Sequence, residues 1–153
     1  AERVGDANAI GNEVPKVDAA RALALYREVE AAVKAGEVRS LHAPALGGLA
    51  VGLAMVAFGG ELGVEVDLGA VPAETELLDA ELLFSESNSR FIATVAPGNA
   101  EFFEARFAGL PAACIGEVIE APQLVIRGRD GGAVVNADIP DLKKAWKSVL
   151  ENV

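Results

Sequence analysis

Apolar residues recur along this chain in short runs whose period switches between helical and alternating, and each run predicts one element. Over residues 17–35, Leu23, Tyr26, Val29 and Val33 fall at helical spacing, with Arg21, Arg27, Glu28 and Lys34 on the other side. Asp18 is placed to cap that helix and Gly36 to end it. Residues 38–42 read as a short strand. The loop 43–48 follows, then a helix over 49–58 that is apolar on every side and is expected to be buried all round. Residues 63–68 alternate as Val64-Glu65-Val66-Asp67-Leu68, the pattern of a half-buried strand.

Residues 73–83 predict a short helix with Leu77, Leu78 and Leu82 inward, and 90–95 a strand. Pro97-Gly98-Asn99 leads into a helix over 100–108 carrying Phe102, Phe103 and Phe107. Three strands follow at 113–119, 123–127 and 133–138, the last two joined by the hairpin turn Arg129-Asp130-Gly131-Gly132. A helix over 140–150 closes the order, with Pro140 and Asp141 favouring its start and Trp146 packing beside Leu142 and Leu150. Several strand links are too short for right-handed crossovers. The expected fold class is therefore α+β, with helices packed on a mixed, mostly antiparallel sheet of about six strands.

Composition narrows this picture. The chain has 153 residues, enough for one domain with a sizeable core. It is 52% hydrophobic but only 5% aromatic, because alanine is so abundant (29 residues), and that apolar content excludes a disordered chain. Against 13 basic residues stand 23 acidic ones, a net charge of −10 that repels nucleic-acid phosphates and anionic membranes. The uncharged run from Ser40 to Gly60 is long enough to raise a membrane span, yet Pro44 and Gly47-Gly48 break its first third, and no aromatic or basic flank anchors it. A single cysteine, Cys114, and a single histidine, His42, exclude an internal disulfide and a His/Cys metal site. Cys114 lies in an apolar run and reads as a buried small hydrophobe. The expected compartment is the cytoplasm.

Two segments carry candidate chemistry. At 41–49 a strand gives way to a helix that begins on Gly47-Gly48, where free N–H groups and the helix dipole suit a phosphate; a tight turn into a core helix accounts for the same residues. No Lys-Ser/Thr follows the glycines, so this is not a Walker loop. The second segment, 83–91, gathers Ser85, Glu86, Ser87, Asn88 and Ser89 before Arg90, the natural partner for an anion. A polar turn with Arg90 on the solvent face is the plainer account. His42 adjoins the glycine loop, and no nucleophile–base set forms around it.

Taken together, these segments point to one family. The run Ser40-Leu41-His42-Ala43-Pro44-Ala45-Leu46-Gly47-Gly48-Leu49-Ala50-Val51 resembles the pattern S/A-H-D-x-S-D-G-G-L-A-V of the synthetase subunit of phosphoribosylformylglycinamidine synthase. Residues 83–91 are similar to its L-F-S-E-S-x-G-R-F, the most discriminating part, since other enzymes with the glycine loop usually lack F-S-E-S. Gly116-Glu117-Val118 with Leu124-Val125-Ile126, and Val14-Pro15-Lys16-Val17-Asp18, resemble its remaining motifs. The resemblance runs from about Val14 to the C-terminus, which assigns 14–153 to the family's C-terminal domain and leaves 1–13 as a leader or connecting segment.

The resemblance implies a fold like the C-terminal domain of aminoimidazole ribonucleotide synthetase. It implies an ATP-dependent ligase of purine biosynthesis that converts formylglycinamide ribonucleotide with glutamine-derived ammonia, using ATP and magnesium. It implies as partners an N-terminal ATP-binding half, a glutaminase subunit or domain and a small accessory subunit. It places His42, Gly47, Gly48, Ser85, Glu86, Ser87 and Arg90 near the ribonucleotide phosphate, with no catalytic residue and no metal ligand on this chain. Ala43, Ala45 and Leu46 stand where the family carries two acids and a serine, and Ser89 where it carries glycine. The chain is therefore expected to be inactive alone and to bind neither ATP nor magnesium by itself. Two alternatives stay open: a non-catalytic domain with a decayed loop, and a related ATP-dependent enzyme of the hydrogenase-maturation or thiamine-phosphate kinase type.

Overall fold

Asp18 begins the first helix as expected, its carboxylate accepting the N–H groups of Ala20 and Arg21 at 3.0 and 3.1 Å. The computed structural model describes residues 16–148. Along them run α1 (Ala19–Lys34), β1 (Val38–His42), α2 (Gly48–Gly60), β2 (Gly63–Asp67), α3 (Asp79–Phe84), β3 (Ile92–Val95), α4 (Ala100–Arg106), β4 (Gly116–Ile119), β5 (Gln123–Arg127), β6 (Ala133–Asp138) and α5 (Ile139–Ser148). The α+β class and the six strands agree with the sequence reading. The strands divide between two sheets, an antiparallel ribbon β1–β3 and a four-stranded sheet ordered β4-β2-β5-β6. Among the described residues only β2 and β5 pair in parallel; the other pairings are antiparallel.

The order of the larger sheet explains two glycines. β4 and β5 are consecutive in the chain but flank β2, so their three-residue link wraps around the end of β2. A Cβ on Gly63 would lie 1.9 Å from the Ala121 carbonyl oxygen, and one on Gly116 would lie 2.0 Å from that of Glu65. Only glycine permits these backbones to approach.

α2 is the centre of the molecule and touches both sheets as well as α3 and α5. Leu49, Leu53 and Ala57 from α2 pack with Val64 and Val66 of β2, Leu124 and Ile126 of β5, Leu82 and Leu83 of α3, and Ile139 of α5. The expectation that α2 is buried all round is corrected on one side. Met55 is 38% exposed, and Gly59 and Gly60 are open. Among the described residues, no helix is long and apolar enough to cross a membrane.

Other expectations need correction. The contact face of α1 is turned by about one residue: Ala22 and Ala32 are buried, whereas Leu23, Tyr26 and Val33 are 44–50% exposed. Alanines allow close approach, so the small residues and not the large ones face the neighbours. The helix expected over 73–83 starts only at Asp79, where Glu81 accepts the Leu78 N–H at 2.7 Å. Leu78 is thereby turned out, while Leu82 stays buried. The strand expected from 113 begins at Gly116, and Cys114 is exposed instead of buried. Phe102 is 70% exposed, and Phe107 carries the packing of α4. Trp146 is half exposed and lies 6.4 Å from Phe58; its expected neighbour Leu150 and the segment 1–13 fall outside the described residues.

Candidate functional site

The glycine loop and the serine-rich segment meet where α2 begins. Gly47 and Gly48 both adopt left-handed backbone, with φ +81° and +63°. A Cβ on Gly48 would lie 2.6 Å from the Ser85 carbonyl oxygen and 2.7 Å from that of Leu83. The glycines thus let the start of α2 rest against the end of α3. The Gly47 N–H donates to Glu86 Oε1 at 2.9 Å, so this amide, a candidate for phosphate, already holds a carboxylate of the chain itself. Leu46 at the tip of the loop is 82% exposed.

Arg90 organises the facing segment. Its Nη1 donates to the Ser85 carbonyl at 3.0 Å, and its Nη2 donates to the hydroxyls of Ser85 and Ser87 at 2.7 and 3.1 Å. Every one of these acceptors is neutral. Burial pulls the Arg90 guanidinium below its ordinary value, yet an arginine stays charged in proteins. Ser89 is left-handed at φ +61°, and its hydroxyl is 2.8 Å from the Tyr26 hydroxyl on α1. The Tyr26 ring packs edge-on against Phe91, with centroids 5.7 Å apart.

These groups enclose a cleft of about 340 Å³, at the lower end of the small-molecule range. Pro44, Leu46 and Phe91 supply apolar walls, and Glu86, Ser87 and Arg90 a polar one. Of the residues expected at the site, these last three reach the cleft. Gly47 and Ser85 stand behind it, bonded to Glu86 and Arg90, and Gly48 packs beneath. His42 does not line the cleft; it pairs with Ile92 across the β1–β3 ribbon. Sequence reasoning missed Tyr26 and treated Ser89 as a departure from a motif. The only signal for Tyr26 was a hydroxyl on an otherwise apolar helical stripe. Among the described residues, no three of His, Cys, Asp or Glu gather to hold a metal ion.

Comparison with known proteins bears on this geometry. The model of the family described as AIR synthase related protein, C-terminal domain, matches residues 2–129. The phosphoribosylformylglycinamidine synthase subunit PurL of Deinococcus radiodurans is 37% identical over 141 residues, 92% of this chain and 18% of that protein. The corresponding subunit of Thermococcus sibiricus is 34% identical over 135 residues, 88% of this chain and again 18% of that protein. The chain thus spans less than a fifth of the length of these relatives. Among solved structures, T. maritima PurL complexed with FGAR superposes with a TM-score of 0.77 at 23% identity, over 91% of this chain and 23% of that one. The hydrogenase maturation protein HypE superposes with a TM-score of 0.63 at 24% identity, over 74% of this chain and 41% of that one. At these identities the structures share the fold.

Proposed function

The chain belongs to the family of AIR synthase related protein C-terminal domains, and from that premise we propose that it is the C-terminal domain of a phosphoribosylformylglycinamidine synthase. The observation that carries this reading is the meeting of the glycine loop and the segment 85–90 in one cleft, where Arg90 offers a positive charge that no carboxylate among the described residues pairs with. In the complete ATP-dependent ligase this cleft would face the phosphate of formylglycinamide ribonucleotide. ATP and magnesium would be held by the N-terminal half. A glutaminase and a small accessory subunit would complete the assembly. The exposed stripe Leu23, Tyr26 and Val33 on α1 is consistent with a companion half lying against it. The acidic charge and lone cysteine support a cytoplasmic setting.

A second reading, a non-catalytic domain with a decayed loop, is favoured by the apolar Ala43, Ala45 and Leu46 at the cleft mouth. Calorimetry separates the two. Formylglycinamide ribonucleotide is expected to bind this chain weakly and to bind tightly once the N-terminal half is added; no gain on addition overturns the first reading. Because Leu46 is exposed, and not buried as a core residue, the variant Ala43→Asp/Leu46→Asp should remain folded. Affinity regained only in that variant would favour the decayed loop.

A further inference from the structure

We propose that Tyr26 is a positioning residue: from α1 it holds the two chain neighbours of Arg90 and so aims the charged group of the cleft's polar wall. This inference rests on the reading of the cleft as the functional site. It gives the task of setting that wall to a residue outside both segments singled out in the sequence.

One side chain grips the backbone on both sides of Arg90. The Tyr26 hydroxyl lies 2.8 Å from Ser89 Oγ, and the Tyr26 ring packs edge-on against Phe91, with centroids 5.7 Å apart. Between these contacts Arg90 turns its guanidinium back onto its own segment, donating to the Ser85 carbonyl and to the hydroxyls of Ser85 and Ser87. Those bonds close residues 85–90 on themselves. Outward, Glu86 accepts the Gly47 N–H at 2.9 Å and ties the segment to the start of α2. Tyr26 ties the Arg90 end to α1.

The backbone at Ser89 gives the second tie its purpose. Its φ of +61° lies in the left-handed region, where a Cβ crowds the backbone. Asparagine tolerates that region better than most residues, yet the asparagine of this turn stands one place earlier, at 88. The Tyr26 hydroxyl offers Ser89 a hydrogen bond in the left-handed state, and the worth of such a bond is of the same order as the strain. Were Ser89 to relax, the peptide leading into Arg90 would turn and carry the guanidinium away from Ser85 and Ser87. Tyr26 acts on Arg90 through its neighbours, so its role is to place that group.

The test is nitrogen-15 NMR of the ligand-free 153-residue chain, read at the Arg90 Nε–H, in a cycle of Tyr26→Phe, Ser89→Gly and the two together. Tyr26→Phe keeps the ring, removes the hydroxyl and should shift the Arg90 signal. Glycine adopts positive φ without the Cβ penalty. Ser89→Gly should therefore leave the Arg90 signal near its original position, and adding Tyr26→Phe to it should have no further effect. A hydroxyl that merely supported the fold would not show this rescue. An Arg90 signal unmoved by Tyr26→Phe would overturn the proposal, as would a shift that persists in the Ser89→Gly background. If Tyr26→Phe does not fold, Ser89→Ala is compared with Ser89→Gly: alanine should move the Arg90 signal and glycine should not, and no difference between them overturns the proposal. Because no ligand is present, these outcomes are independent of the calorimetry that tests the phosphate site. Failure of that calorimetry would remove the phosphate-site reading and leave the hold of Tyr26 on Arg90 standing.

Discussion

Ser89 shows how one residue can hold two opposed requirements. Its left-handed backbone favours glycine, because a Cβ in that region crowds the following carbonyl by about 1–2 kcal/mol. Its hydroxyl meets Tyr26 across the cleft. Ser89→Ala removes the hydrogen bond and keeps the strain, whereas Ser89→Gly removes both. In urea unfolding, the glycine variant should therefore be more stable than the alanine variant by about 1 kcal/mol. The nearness of Arg90 to a run of small hydroxyls was legible in the sequence, and the structure bonds it to Ser85 and Ser87 of that same run. The taking of the Gly47 amide by Glu86 was not legible, since the two residues lie 39 positions apart and each has a sufficient local explanation. The same holds for Tyr26, which reaches the cleft from a helix whose inward face is lined by alanines.

At the level of elements, periodicity located most helices and strands but could not say which end of an apolar run would be used. Residues 73–83 carry a helical pattern, yet the helix waits for Asp79, because Glu81 caps it there. Residues 113–119 carry a strand pattern, yet pairing begins where a glycine lets the chain reach the sheet. Glycines in neighbouring elements should therefore respond with opposite signs. Gly63→Ala drives a methyl group into the carbonyl of Ala121 and should destabilise the fold by about 3 kcal/mol. Gly59, near the end of α2, has nothing within 4 Å of a Cβ. Gly59→Ala should stabilise by about 0.5 kcal/mol through helix propensity. Chemical denaturation of both variants checks the pair of signs.

Across the whole molecule, α4 is tied to the N-terminal elements by one ion-pair cluster. Arg106 donates through Nε and Nη2 to the two carboxylate oxygens of Glu37 at 2.9 and 2.6 Å, with Glu28 at 3.6 Å from Nη1. The Arg106 hydrogen bond holds the Glu37 carboxyl below its ordinary value. A depressed carboxylate pKa contributes stability that is present above the unfolded value and is lost as pH falls through the folded one. The stability difference between the unaltered chain and Glu37→Gln should therefore be constant near neutrality and shrink below about pH 4. Urea titrations across that range check the direction. The wrapping of the β4–β5 link around β2 also has a consequence in time. β2 lies at 63–67, but both of its partners lie at 116–127, so the four-stranded sheet cannot close until those distant residues are present. Such distant pairings slow folding. During synthesis, the unpaired backbone edges of β2 would wait uncovered until its partner strands, about fifty positions further along, emerge, a window in which chaperone protection matters most.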